Sequence, residues 1–177
     1  MRKSTSIGSF LFFVALLAIP ASANAQPAPG RVTIFMYAAK FVCGKSDDKR
    51  IVAPGEYFTA INVHNASPIN RAIYIKRFAL ALPEERPGKI SAFERGILGP
   101  DEAMGIDCQN IDKHTGTNPG DFIEGYALIY SLSELDVVDI MTAGHIEVET
   151  LHTERVPVRR FVIGRNTAMS RQLREQQ

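Results

Sequence analysis

Phe122-Ile-Glu-Gly-Tyr-Ala-Leu-Ile-Tyr-Ser-Leu132 decides the fold class. The run is apolar, aromatic and β-branched, and the turn signal Asn118-Pro119-Gly120-Asp121 stands before it. That combination predicts a central strand. Ser133 sits at a tight connection, from which Glu134 to Thr142 returns. Ala143-Gly144 then turns the chain into His145 to Leu151. Val156 to Ile163 adds a further apolar run at a sheet edge, where Pro157 is tolerated.

Toward the N-terminus the same chemistry recurs. Arg31 to Ala38 is continued by Phe41, Val42 and Cys43. Val32, Ile34 and Met36 share one face of that strand, and Thr33, Phe35 and Tyr37 the other. Pro54-Gly55-Glu56 launches Tyr57 to Asn65, where Tyr57, Thr59, Ile61 and Val63 make a better core face than Phe58, Ala60, Asn62 and His64. Ala72 to Leu82 is the longest candidate, with Lys76 and Arg77 implying one solvated region. Ile90 to Leu98 is a weaker strand and Glu102 to Cys108 a short one. Gln109 to Asp121 reads as loop, and Arg165 to Gln177 as a frayed helix or a disordered tail.

Strands recurring every ~10–20 residues, with turn chemistry between them and no long helical period, predict an all-β protein. The expected architecture is an antiparallel Greek-key β-sandwich with an immunoglobulin-like layout and about seven to eight strands. The core Trp of antibody domains is missing, because the chain has no Trp.

The first 25 residues carry a different pattern. Arg2 and Lys3 precede the uncharged apolar run Ile7 to Ile19, Pro20 breaks it, and Ala23-Asn24-Ala25 offers a small-x-small cleavage site before Gln26. This is the pattern of a cleavable export signal. The apolar run falls short of the roughly 20 residues that span a bilayer. The expected organisation is a signal peptide at 1–25, a Pro-rich flexible start at 26–30, a β-sandwich domain at 31–163 and a polar tail at 164–177. No later segment is apolar enough to span a membrane, so the mature chain is expected in the periplasm or secreted.

A mature chain of about 150 residues suits one domain with its own core. The full sequence balances 20 Lys and Arg against 19 Asp and Glu, and loss of Arg2 and Lys3 moves the formal charge from +1 to −1. Near-neutrality argues against nucleic-acid binding, which needs a basic face to neutralise phosphates. The two cysteines, Cys43 and Cys108, lie 65 positions apart at the ends of predicted strands. In an oxidising compartment they are expected to pair.

Tyr37-Ala-Ala-Lys-Phe-Val-Cys43-Gly44 and Pro54-Gly55-Glu56-Tyr57 with Thr59 to Asn65 resemble a group of small exported bacterial β-sandwich proteins of unknown function. Leu98 to Ala103, Asp107-Cys108, Gly125 to Ser131, Glu134 to Val138 and Leu151 to Pro157 look like the same group. The similarity runs from about Tyr37 to Pro157 and implies export and fold, with no activity attached.

Several residue sets carry side-chain types that chemistry could use. His64, Cys108 and His114, with Met104 nearby, have the residue types of a blue-copper site. A disulfide would abolish the thiolate that such a site needs. His145, Glu147 and Glu149 share one strand face, which also reads as a charged edge that blocks pairing. Asp107, Asp112, Asp121 and Glu124 lack the spaced calcium-loop pattern and read better as Asx turns. Ser91, Ser131 and Ser133 have no Gly-x-Ser-x-Gly elbow around them. The leading expectation is therefore an exported, non-enzymatic binding or structural module of the bacterial envelope, without cofactor, meeting an envelope or extracellular protein partner. A periplasmic copper-type domain is the alternative, and an envelope-polymer hydrolase a weaker one.

Overall fold

A computed structural model describes residues 30–47, 52–83, 86–145 and 148–174, with backbone alone at 145 and 148–150. The expected signal peptide and its expected cleavage residues Ala23, Ala25 and Gln26 lie outside the described residues. The described elements are β1 (Arg31–Ser46), β2 (Gly55–His64), β3 (Ala72–Ala81), β4 (Pro87–Ile90), β5 (Glu94–Leu98), β6 (Ala103–Asp107), α1 (Cys108–Thr115), β7 (Ile123–Ser131), β8 (Asp136–His145), β9 (Val148–Arg155), β10 (Arg159–Gly164) and α2 (Ala168–Arg174). The protein is all-β with antiparallel strand pairs, as its residue pattern predicts.

Strand β1 organises the layers. Arg31–Met36 pairs with β10, Phe35–Cys43 with β7, and Gly44–Ser46 with β2. The first layer therefore runs β10-β1-β7-β3, with β4 and β5 sharing the outer side of β3. The second runs β6-β2-β8-β9. One continuous hydrogen-bonded path joins them through β1. Between them lies a buried cluster that includes Tyr37, Phe41, Phe78 and Ile129 from the first layer and Ile61, Val63, Ile106 and Val137 from the second. Phe41 meets Phe78 edge-on at 6.3 Å. Burying a side chain of this size stabilises the fold by about 2–3 kcal/mol.

Alternation along β1 explains its position. Tyr37, Ala39, Phe41 and Cys43 point into that cluster, while Val32, Ile34 and Met36 serve a second cluster on the opposite face. There Ile34, Ile73, Ile75 and Tyr130 are capped by Leu173 of α2. The segment expected as a polar tail thus contributes a packed helix turn, with Ser170 and Leu173 fully buried.

On the side away from β7, β1 has no strand partner between Met36, opposite the first residue of β10, and Gly44, where β2 begins to pair. Two inward side chains of the second layer take over. Thr59 Oγ1 accepts from the Val42 N–H at 2.9 Å and donates to its carbonyl at 2.8 Å. The Lys40 backbone N–H donates to Asp139. Buried backbone groups need such partners, which is why two polar residues sit on a face otherwise held by Ile61, Val63 and Val137.

Three expectations are corrected. There are ten strands among the described residues, not seven or eight. Part of the excess comes from Ile90 to Leu98, which divides: β4 and β5 line the same side of β3, and between them Ser91 bonds Phe78 through both its N–H and its Oγ. The loop expected from Gln109 holds α1, with Asp107 as N-cap, Asn110 closing a capping box and Gly116 ending the helix at φ 69°. At eight residues it is too short to show a helical period. The solvated region expected at Lys76 is absent, for its side chain is only 12% exposed and pairs with Glu94 at 3.1 Å.

Candidate interaction face

The outer face of the second layer is assembled by strand register. Phe58 on β2, Thr142 on β8 and Leu151 on β9 form one cross-strand row. Ala60, Ile140 and Thr153 form the next, and Asn62, Val138 and Arg155 the one after. Phe58 is 51% and Leu151 66% exposed, with Ile140 and Val138 half-buried in the next two rows of β8. The far end of the face is polar: Arg155 pairs with Asp136, and His64 Nε2 lies 3.0 Å from Asp101. An apolar strip with a charged border is the composition that protein-binding patches favour.

Beside Phe58 runs a groove of about 380 Å³, lined by Glu56, Phe58, Cys108, Gln109, Asp112 and Pro119. Its floor includes the expected disulfide. Cys43 and Cys108 are bonded, with Cα atoms 5.7 Å apart. Cys43 is the buried partner and Cys108, at the start of α1, the less buried one. The Thr59 backbone N–H donates to Cys108 Sγ at 3.3 Å. The bond fastens the end of β1 to the β6–α1 junction, so it ties the two layers together at one end.

The copper-type trio is not brought together. Cys108 is spent in the disulfide, which removes the thiolate. His64 faces Asp101, while His114 contacts Glu94 at 2.9 Å and stacks on Phe78 with ring centroids 5.5 Å apart. The acidic loop residues are likewise divided among local tasks. Asp107 accepts from the Asn110 N–H at 2.8 Å, Asp112 from the Thr117 hydroxyl at 2.7 Å, and Asp121 from the Asn118 amide at 2.9 Å. Glu124 pairs with Lys40 at 2.7 Å. Among the described residues no group of three or more His, Cys, Asp and Glu is placed to hold a metal ion. The side chains of His145, Glu147 and Glu149 lie outside the described set. Ser131 Oγ is buried and donates to the Ile73 carbonyl at 2.9 Å, and Ser91 serves β3.

Asp139 is 4% exposed. Burial raises its pKa, the charge of Glu154 raises it further, and His152 and the Lys40 N–H oppose them. Its Oδ1 has no hydrogen-bond partner among the described residues. Sequence reasoning passed over this residue because Asp139 lies in an apolar run whose period places it inward without marking what it would meet.

No family model and no curated protein matches the chain. Among solved structures, it is similar to "Crystal Structure of Thermotoga maritima 1070", at 9% identity and a TM-score of 0.41, over 73% of this chain and 96% of that one. That level of likeness says nothing about function.

Proposed function

We propose that this chain is an exported binding module of the bacterial envelope, periplasmic or secreted, which docks a protein partner on the outer face of its second layer. The observation that carries the reading is the exposed row of Phe58 and Leu151, with Val138 and Ile140 beside it. Large apolar side chains exposed on one strand face, with a groove alongside, suit a partner's apolar anchor better than they suit water. The Cys43–Cys108 bond fits an oxidising compartment, and the leader pattern of Arg2 to Ala25 fits delivery there.

A photo-crosslinking residue placed at position 58 or 151 in the producing cell tests this. The expected result is one discrete adduct at both positions, absent when the crosslinker sits at Ala92 and the face is intact. Adducts distributed equally over all three positions, or none at 58 and 151, overturn the docking face. Recovery of the protein from the envelope or medium with a mass beginning at Gln26 checks export separately.

A further inference from the structure

Strand β9 ends the second layer. It pairs with β8 along its whole length, with no break in register, and among the described residues no strand pairs with its other edge. Residues 151 to 155 are all exposed. The run Val-Glu-Thr-Leu-His-Thr-Glu-Arg holds neither Pro nor Lys, and no bulge twists it away, so the usual devices that blunt a sheet edge are missing. At eight residues β9 is also the longest strand at a layer end, against five in β6 and six in β10.

The unpaired N–H and C=O groups along such an edge form a template for a further strand. Symmetry narrows what that strand can be. When two copies of β9 pair antiparallel about a two-fold axis normal to the sheet, opposed residues must share a face. Their numbers then sum to an even value, and one residue opposes its own copy. Over Val148–Arg155 two registers give the longest overlap, one centred on His152 and one on Leu151. The first sets imidazole against imidazole and leaves Leu151 against Thr153. The second sets Leu151, 66% exposed in the single chain, against the Leu151 of the copy. It puts Thr150 opposite His152, Glu149 opposite Thr153 and Val148 opposite Glu154, so no like charges oppose each other. Apolar cross-strand pairs stabilise a sheet, and opposed like charges weaken it. We propose that this chain forms a two-fold dimer by antiparallel pairing of β9 with the β9 of a second copy, centred on Leu151. The two second layers become one continuous sheet, and the row Phe58, Thr142, Leu151 runs on into its copy. The pairing uses a strand edge, whereas the docking reading uses the sheet face, so neither depends on the other.

The experiment follows the purified chain from Gln26, with no other protein present, by sedimentation velocity over about 1 to 500 µM. The expected result is a concentration-dependent equilibrium between monomer and dimer. Leu151→Lys sets two ammonium groups directly opposite each other and should weaken the dimer about tenfold or more, with the Tm of the dilute monomer unchanged. Leu151→Cys reads the register. Directly opposed residues in antiparallel strands have Cα atoms roughly 4.5–5.5 Å apart, within reach of a disulfide. Oxidation should therefore link position 151 to position 151 of the copy, and faster than His152→Cys links its own. A dimer unchanged by Leu151→Lys, or a chain that stays monomeric and forms no bond between the two 151 positions, overturns the edge pairing. Faster linkage by His152→Cys overturns the Leu151 register. The docking reading survives each of these failures, because the adduct at position 58 is read in the producing cell.

Discussion

The outer face of the first layer buries Ile34, Ile73, Ile75 and Tyr130 beneath Leu173, whereas that of the second leaves Phe58 and Leu151 in the open. The strands themselves carry the difference. β1 and β3 are apolar on both faces near α2, as sheets covered on both sides are. β2 alternates, with Thr59, Ile61 and Val63 inside and Ala60 and Asn62 outside. Phe58 departs from that alternation, a large ring where the pattern calls for a polar residue. Apolar residues on a strand's second face thus close a core where a helix covers them and form an open surface where none does.

The largest expected effect falls on the link between the layers. Replacing both Cys43 and Cys108 with Ser frees a loop closed over 65 positions. The chain-entropy model puts the loss at about 4 kcal/mol. Reversible denaturation of the oxidised protein and the double variant measures it. A loss below about 1 kcal/mol would mean that the core holds the layers together without the staple.

Next comes the covered face. Leu173→Ala removes the fully buried cap of the second cluster and is expected to cost about 3 kcal/mol. If α2 merely rests on the sheet, the cost falls to the level of a surface change, and the contrast between the two outer faces disappears.

Much of this fold was legible in the residues. Strand identity followed from β-branched and aromatic runs between turns, and the core face of β2 from its period of two. The disulfide followed from two cysteines in an expected oxidising setting. What stayed hidden depended on distant partners. Lys76 looks like a solvent residue until Glu94 is brought beside it from the neighbouring strand. Helix α1 announced itself only through Asp107, Asn110 and Gly116, cap residues that also suit a loop. Leu173 sits in a charged C-terminal stretch whose single buried turn depends on the sheet it meets. The copper-type trio failed for the converse reason: its residue types were present, but each had a nearer partner.

The inner faces differ as well, since the second layer lends Asp139 to the open edge of β1. Its pKa is raised above 3.8 in the fold, chiefly by burial. Folding then favours the protonated carboxyl. Below its unfolded pKa the group costs nothing; as pH rises through the raised folded value, stability is progressively lost. Asp139→Asn keeps an acceptor for the Lys40 N–H and removes the charge. It should gain about 1 kcal/mol at neutral pH, with the gain vanishing toward pH 3, as read from unfolding curves across that range. A variant less stable than the parent at neutral pH would show that the carboxylate has a cationic partner in solution.

The smallest effect on stability is expected where the docking reading places the most function. Phe58→Ser and Leu151→Ser alter side chains that are more than half exposed, and surface changes of this kind usually stay within about 0.5 kcal/mol. The double variant should therefore unfold almost as the parent does, while losing the adduct formed by a crosslinker at Ala60, exposed in the next row of the same face. A structural role predicts the reverse, a marked loss of stability, because the residues would then be holding β2, β8 and β9 together across the row that Thr142 completes. The same pair of measurements on Leu173→Ala should give the opposite result, lower stability with the adduct retained. A residue that closes a core and one that waits for a partner are both apolar in sequence, and they separate only when stability and binding are measured on the same variants.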